Sequence, residues 1–595
     1  MSVCDSSEST SSSSSSSPAA NCIDCVRTRS NNVFVVVVRT IDQYVQQLPL
    51  MALAFLPLIS AILGLRFINL KSVIHFQQGT LGNSPWRAAT AMTILSIPPF
   101  FIWCLCARSP AAMFFQAGAS LALVLTTITS SPILHYLPST SITKYFQLRY
   151  LSNTLEFLAT VFQCGVLCSI TVILLYVAAS FLSSITSLSI YLILPLVAYF
   201  SLFSVIFSGH SSIMNFSFIL HLLVTIAGIL LFLYYAIEEI PNFEAIVPVQ
   251  KLNISGIISS TLVGFIVNFH LLNSSILYQV YSPMPTMHKL RLTLTFYGVF
   301  QLFISFFVFL VATLFLNFLN DHCKFSMSFS SFFQFVKTLT TYKYQAFAVC
   351  ASLLCILLFC IQWSIMCFTT IVWEECLAKK LRNWNPIQQL CSLQFAMLIL
   401  TTALVVVTVA AKLSKIPIAT HLPTISYVIF SAFALLAGIM ICGYYFPFCS
   451  SRGVLVALFL TLMLTLLNLT IYMLNNTPET FHNSCVVFDD VTNSTTTSRS
   501  ISMDRVVYFV SHLPPQAQPT ISLIIFVVSC IFISFLTGGQ DQMGLDWNLI
   551  AFTWAASVRS PTSFSKRPFV DSESFRYAQQ QNSNPTPSPD INIYR

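Results

Sequence analysis

The longest uncharged stretch of the chain is FLATVFQCGVLCSITVILLYVAASFLSSITSLSIYLILPLVAYFSLFSVIFSGHSSIMNFSFILHLLVTIAGILLFLYYAI, which runs from Phe157 to Ile237. A helix needs about 20 apolar residues to cross a bilayer, so these 81 residues predict three membrane helices joined by short turns. The whole chain is 55% hydrophobic and only 8% charged, far below the charge of soluble proteins. The sequence therefore predicts a protein embedded in a lipid bilayer.

The other gaps between charged residues predict further membrane spans by the same criterion. Each is continuously apolar, whereas the strands of a membrane barrel alternate apolar and polar residues. The predicted fold is all-α and polytopic, with thirteen spans in one domain over residues 41–540. The spans are 45–65, 88–107, 114–136, 155–181, 185–207, 213–236, 254–279, 292–318, 345–377, 388–411, 422–446, 453–474 and 519–538.

Short loops rich in Lys and Arg predict which face meets the cytosol. An odd number of spans puts the two termini on opposite sides, here with the N-terminus outside and the C-terminus inside, in the plasma membrane. The loops predicted to be cytosolic carry more basic residues than the opposite short loops, namely Arg66, Lys71, Arg87, Lys144, Arg149, Lys289, Arg291, Lys379, Lys380, Arg382 and Arg452.

Three polar segments flank or interrupt the spans. The loop 475–518, predicted to be extracellular, contains the glycosylation sequons at Asn475 and Asn493, in agreement with the topology. Residues 1–40, with their serine run, predict a disordered extracellular tail, and residues 541–595 a largely disordered cytosolic tail. The few basic residues are dispersed, which disfavours nucleic acid as a partner. The cysteines show no repeated paired spacing of the kind typical of zinc sites, and they imply no disulfide framework.

Five short strings resemble motifs of the sodium/solute symporter family. SITKYFQLRY (Ser141–Tyr150) resembles S-x-Y-E-Y-L-E-x-R-F, and PAAMFFQAG (Pro110–Gly118) resembles P-x-E-x-Y-x-x-G. GYYFPFCSSRG (Gly443–Gly453) is similar to G-x-x-F-P-x-x-N-x-K-G, SFLTGG (Ser534–Gly539) to S-x-x-T-G, and the segment Asp42–Tyr44 to the D-Y that opens the first helix. With thirteen spans and a glycosylated loop, the chain resembles the animal branch that carries monocarboxylates, multivitamins or iodide.

This resemblance implies a leucine-transporter-type core of two inverted repeats, about 88–236 and 254–446. Solute and sodium would lie near the midplane, between broken helices. Pro98 and Pro99 remove two backbone donors in the centre of span 88–107 and, with the resemblance, predict a break there; the alternative is a packing kink, which is common in membrane helices. The corresponding span of the second repeat, 254–279, has two glycines and no proline, so a break is less well supported there.

The candidate solute- and ion-binding residues follow from the resemblance and from polar groups at membrane depth. They are Ser96, Ile97, Pro98, Pro99, His270, Asn273, Gln362 and Ser364. Hydroxyl ligands that the family supplies to sodium align with Phe359 and Cys360, and an acid of the family aligns with Ser217. These replacements predict a degenerate sodium site, although a slip of one turn brings in Ser364. For His270, a neutral ring hydrogen-bonded between helices is a commoner arrangement than a proton relay.

The predicted function is secondary-active transport of a small organic solute, an organic anion, monocarboxylate or vitamin-like compound, coupled to sodium by alternating access. No cofactor is predicted, apart from a possible sodium ion, and the lipid bilayer is the other partner. The alternative is a transport-inactive relative that acts as a membrane sensor or assembly partner. An intramembrane acyltransferase ranks last, because the ten histidines form no paired motif. The chain is therefore predicted not to be an enzyme.

Overall fold

Helices make up all the regular secondary structure in the part of the chain that the computed structural model describes. The described residues are 73–78, 84–107, 110–135, 137, 141–186, 188–238, 254–321, 343–378, 380–381, 383–414, 422–475, 517–540 and 549–551. The predicted terminal tails, the predicted loop 475–518 and the predicted span 45–65 therefore lie almost entirely outside the described residues.

The first half of the bundle contains the predicted spans 88–107 to 213–236. Its helices are α1 (Val73–Gln78), α2 (Pro85–Ala107), α3 (Phe115–Leu125), α4 (Ser131–His135), α5 (Thr143–Tyr150), α6 (Asn153–Thr186) and α7 (Ile190–Glu238). A 3₁₀ turn precedes α3, and a π-helical turn, Thr126–Ser130, joins it to α4. Helix α7 covers two predicted spans, and its backbone leaves the helical region at Gly209, where φ is 57°.

The second half repeats this pattern of long apolar helices. Its helices are α8 (Ile254–Leu272), α9 (Ser275–Tyr281), α10 (Met287–Asp321), α11 (Lys343–Val372), α12 (Pro386–Leu413), α13 (Leu422–Tyr445), α14 (Ser451–Asn475) and α15 (Gln518–Leu536). A π-helical turn, Trp373–Leu377, extends α11. Asn475, the first sequon residue, is the last residue of α14.

Eleven helical segments of the described chain are long and apolar enough to cross a membrane. Many large apolar side chains point away from the protein, including Ile254 (72% exposed) and Leu536 (71% exposed). Such surfaces need an apolar solvent, which a bilayer provides. The predicted count of thirteen exceeds eleven by span 45–65, which is outside the described residues, and by the second half of α7.

Two helix crossings relate the halves of the bundle reciprocally. Helix α2, the first long helix of one half, packs along α10 of the other half. Helix α8, the first helix of the second half, packs in the same way along α3. The α3–α8 crossing is close because Gly118 and Gly264 lie in it, each against the backbone of the opposite helix. Small residues allow this approach in membranes, where helices associate through packing rather than through the hydrophobic effect.

Candidate functional site

The backbone is interrupted between α8 and α9, inside the predicted membrane span 254–279. Helix α8 ends at Leu272, and Ser274 takes an extended conformation (φ −114°, ψ 165°) before α9 begins. The Ser274 hydroxyl accepts a hydrogen bond from the Ile276 amide at 3.3 Å and donates one to the Leu271 carbonyl at 3.0 Å. The Tyr281 hydroxyl donates to the Leu272 carbonyl at 2.8 Å. The chain thus satisfies the backbone groups that the break exposes, as membrane depth requires.

Helix α11 holds the short helix α9 in place. The indole Nε1 of Trp363 donates to the Ile276 carbonyl at 2.6 Å, and the thiol of Cys367 to the Ser275 carbonyl at 3.5 Å. The His210 ring packs edge-on against Trp363, with centroids 5.3 Å apart. The position of α9 therefore depends on residues almost ninety positions later in the chain.

Buried polar side chains on α8 and on the helices beside it form hydrogen bonds along the length of these helices, and we call them the polar cluster. Asn268 Oδ1 accepts hydrogen bonds from the Tyr297 hydroxyl at 3.2 Å and from Gln301 Nε2 at 3.0 Å. The Ser305 hydroxyl donates to Gln116 Oε1 at 2.9 Å. The members are Ser96, Gln116, Thr126, Asn268, Asn273, Tyr297, Gln301 and Ser305.

Asn273 and Ser96 are the two predicted site residues that belong to the polar cluster. Asn273 Nδ2 donates to the Thr126 hydroxyl at 3.3 Å and to the Phe269 carbonyl at 2.8 Å. Ser96, on α2, lies near Tyr297, and its hydroxyl donates to the Thr93 carbonyl at 2.7 Å. The other members of the cluster were not predicted from the sequence. Their signal is the spacing of Tyr297, Gln301 and Ser305, which repeats every four residues and so puts one polar stripe on α10.

Several buried polar atoms of the described bundle have no hydrogen-bond partner. They include the acceptor Asn273 Oδ1 and the donor Gln116 Nε2, both in the polar cluster, and Gln362 Nε2 on α11. An unpaired buried polar group costs about 1–3 kcal/mol, so a molecule that pairs with it gains that much. The cluster itself consists of amides, hydroxyls and one phenol, none of them ionised. It suits a ligand that both donates and accepts hydrogen bonds.

The predicted break at Pro98 and Pro99 is wrong. Helix α2 continues from Pro85 to Ala107 with both prolines inside it. Proline has a helical φ of its own, and a membrane helix tolerates the two missing donors where neighbouring groups compensate. The discontinuity lies instead in the predicted span 254–279, where the sequence supported it less well. Ile97 is buried in the continuous helix.

The other predicted site residues are packed rather than open. The His270 ring stacks on Phe433 with centroids 4.5 Å apart. Phe359 and Cys360 are buried, and Phe359 packs against Phe216 at 6.3 Å. Ser364 is buried on α11, and the side chain of Ser217 is outside the described residues. No oxygen atom from the side chains of residues 359 and 360 is available to a cation.

A second polar assembly, the Arg149 clamp, lies at the end of the bundle that the sequence predicts to face the cytosol. The buried guanidinium of Arg149 donates to the Gly443 carbonyl at 2.8 Å, to the Phe446 carbonyl at 3.0 Å and to the Pro447 carbonyl at 3.3 Å. It also donates to Gln540 Oε1 at 2.6 Å, and Gln540 Nε2 returns a bond to the Arg149 carbonyl at 3.1 Å.

Three of the strings that carry the family resemblance meet at this clamp. The Ser450 amide donates to the Ser534 hydroxyl at 3.1 Å, and the hydroxyls of Ser450 and Thr537 are 3.3 Å apart. Gly453 lies against Ser534 so closely that a Cβ atom would overlap its hydroxyl. Gly539 has a φ of 72°, a backbone conformation that residues other than glycine rarely adopt. These strings therefore have a common structural role in fixing one end of the bundle.

No family model matches the chain. No curated protein matches it. Among solved structures, a substrate-bound, outward-open Na⁺-coupled sialic acid symporter superposes with a TM-score of 0.64 at 13% identity, over 84% of this chain and 99% of that chain. A nucleobase-cation-symport-1 family transporter superposes with a TM-score of 0.41 at 10% identity, over 79% of this chain and 96% of that chain. A manganese transporter of Eremococcus coleocola superposes with a TM-score of 0.43 at 11% identity, over 78% of this chain and 99% of that chain.

The first of these likenesses establishes the fold. The chain is an all-α, polytopic membrane protein with the leucine-transporter-type arrangement of inverted repeats. The reciprocal packing of α2 on α10 and of α8 on α3 agrees with the symmetry between the two repeats. The animal monocarboxylate, multivitamin and iodide branch stays a prediction.

Proposed function

We propose that the protein is a secondary transporter whose cargo binds in the polar cluster beside the α8–α9 break. The observation that carries this proposal is the interrupted helix at Asn273, whose buried Oδ1 atom has no partner. In this fold, solute sites lie near the midplane at discontinuous helices, because irregular backbone is tolerated there only where it lines a cavity or is enclosed by protein.

The chemistry of the cluster constrains the cargo. A carboxylate placed among amides and hydroxyls finds donors such as Gln116 Nε2, but it brings an uncompensated negative charge into the bilayer interior. A sodium ion that enters with it removes that net charge. An organic anion and sodium coupling therefore belong together in this site, and we propose sodium-coupled symport of a monocarboxylate or vitamin-like acid.

The proposed sodium ligands differ from those that the family resemblance implies. Sodium prefers oxygen donors, and residues 359 and 360 offer none from their side chains. Asn273 Oδ1 and the hydroxyl of Thr126 are the oxygen atoms that the cluster supplies next to the break. Each sodium charge that crosses the membrane contributes about 2.3 kcal/mol per 100 mV of potential.

Uptake into proteoliposomes tests this proposal. We expect saturable accumulation of at least one labelled acid from a panel of monocarboxylates and vitamin-like acids, larger in sodium than in choline medium. Asn273→Ala should abolish this uptake, whereas Thr295→Ala, on an exposed face of α10, should leave it unchanged. Equal uptake in both media would refute sodium coupling but not transport.

A transport-inactive relative is the second candidate, favoured by the buried Phe359 and Cys360 at the positions of the family's sodium-binding hydroxyls. Absence of uptake across the whole panel, from protein that elutes as a folded monodisperse species, would favour this candidate. Saturable flux that Asn273→Ala removes would eliminate it.

A further inference from the structure

Three cysteines from different parts of the chain meet beside the Arg149 clamp. Cys442 lies near the end of α13, Cys449 in the connection to α14, and Cys530 in α15. All three side chains are buried, their thiols are free, and their Sγ atoms lie within 4.8 Å of one another. We call this group the thiol triad.

The spacing of the three sulfur atoms is close to that of ligands on one ion. Metal–thiolate bonds are about 2.3 Å long, which puts sulfur ligands of the same ion about 4 Å apart. The triad therefore needs only side-chain adjustments of less than about 1 Å to enclose a cation, a shift within the range of χ1 rotation. Sulfur is a soft donor, and thiolates select Cu(I) and Zn(II) over hard cations such as sodium.

A fixed positive charge lies beside the triad. The guanidinium of Arg149 acts electrostatically on Cys449 and favours negatively charged sulfur there. Arg149 is itself fixed by the carbonyls that it binds, so its charge stays beside the sulfur atoms. An ion that binds displaces the remaining thiol protons to solvent.

We propose that Cys442, Cys449 and Cys530 form a binding site for one thiophilic cation of the class of Cu(I) and Zn(II). The ion would connect α13, the start of α14 and α15 at the face that the sequence predicts to be cytosolic, where thiols stay reduced. Three sulfur donors satisfy Cu(I), whereas a protein zinc site normally has a fourth ligand. We therefore expect Cu(I) to bind more tightly than Zn(II). The cysteines gave no such signal in the sequence, because they are separated by seven and by eighty-one residues.

Metal titration of the full-length protein tests the proposal. The purified chain, stripped with a chelator and kept reduced by a phosphine, is titrated with Cu(I) or Zn(II) against a chromogenic chelator. We expect one equivalent to bind per chain, with a shell of sulfur neighbours at about 2.3 Å in X-ray absorption. The variants Cys442→Ser, Cys449→Ser and Cys530→Ser should each lose this equivalent, whereas Cys355→Ser, buried in α11, should keep it.

A second measurement uses the unmodified chain and so does not depend on the folding of the variants. After incubation with the metal, alkylation followed by mass spectrometry should find the thiol triad protected, while the exposed Cys376 and Cys391 are labelled as before. Binding of neither ion by the wild type would overturn the proposal. A bound equivalent that survives all three substitutions, or metal protection of Cys376 and Cys391 instead of the triad, would overturn it as well.

Discussion

An added methyl group at the α3–α8 crossing should separate the two halves of the bundle. A Cβ atom at Gly118 would lie 2.6 Å from Phe265 N and closer still to the Thr261 carbonyl oxygen. At Gly264, a Cβ atom would lie 2.7 Å from Phe115 C and closer to its oxygen. Ordinary contact begins at 3.4 Å, so either helix must move by at least about 0.8 Å.

The obstructing atoms belong to backbone, which cannot rotate away as a side chain can. We therefore expect Gly118→Ala and Gly264→Ala each to destabilise by about 3 kcal/mol, the upper end of the usual cost of overpacking. The double variant should cost less than the sum, because the first methyl group already opens the crossing for the second. Gly165→Ala is the matched control, since its Cβ atom meets nothing within 4 Å.

Thermal unfolding of the purified protein in detergent, followed by size-exclusion chromatography with fluorescence detection, measures this effect. The two single variants should lose their monodisperse peak at clearly lower temperature than the wild type, and Gly165→Ala should not. If Gly118→Ala melts with the wild type, α3 and α8 do not cross as closely as the structure has them. If the losses of stability in the two single variants add up in the double variant, the two glycines do not lie in the same crossing.

Three further predictions concern stability and use the same measurement. Arg149→Lys should destabilise by about 1–3 kcal/mol, because a lysine cannot reach all the carbonyls that the guanidinium binds, and a wild-type melting temperature would contradict the clamp. Tyr281→Phe should cost about 1 kcal/mol through the lost bond to Leu272, whereas an unchanged melting temperature would mean that this bond does not hold the break. The double substitution Pro98→Ala/Pro99→Ala should raise the melting temperature, since α2 is continuous and the change restores two donors; a decrease would indicate that the helix depends on its prolines.

Hydropathy predicts the spans of this protein because a helix must be apolar over about 20 residues to cross a bilayer, whether its side chains face lipid or protein. The uncharged stretch from Phe157 to Ile237 corresponds to α6 and α7, and the predicted loop near 207–213 coincides with the backbone change at Gly209. Span limits agree to within a few residues for most helices. Such features are local properties of the sequence, so composition is enough to find them.

The helix break could not be found in this way. Pro98 and Pro99 are the strongest local breakers, yet α2 continues through them, while Asn273 and Ser274 interrupt a helix with no proline or glycine at the break. What holds the break open is tertiary: the Tyr281 hydroxyl on the Leu272 carbonyl and the Trp363 indole on the Ile276 carbonyl. Those partners have no signature in the residues around position 273. The thiol triad was missed for the same reason.

The inverted halves differ in the one feature that matters most for movement. Their first helices, α2 and α8–α9, are equivalent in the packing of the bundle, but only the second is interrupted in the described structure. A continuous helix bends as a unit. The short helix α9, in contrast, can rotate about Ser274 once its hydrogen bonds from Trp363 and Cys367 break. Opening of the polar cluster should therefore proceed by motion of α9 against α11. The Arg149 clamp, which ties the connection after α13 to α5, should stay intact until the predicted cytosolic end itself opens.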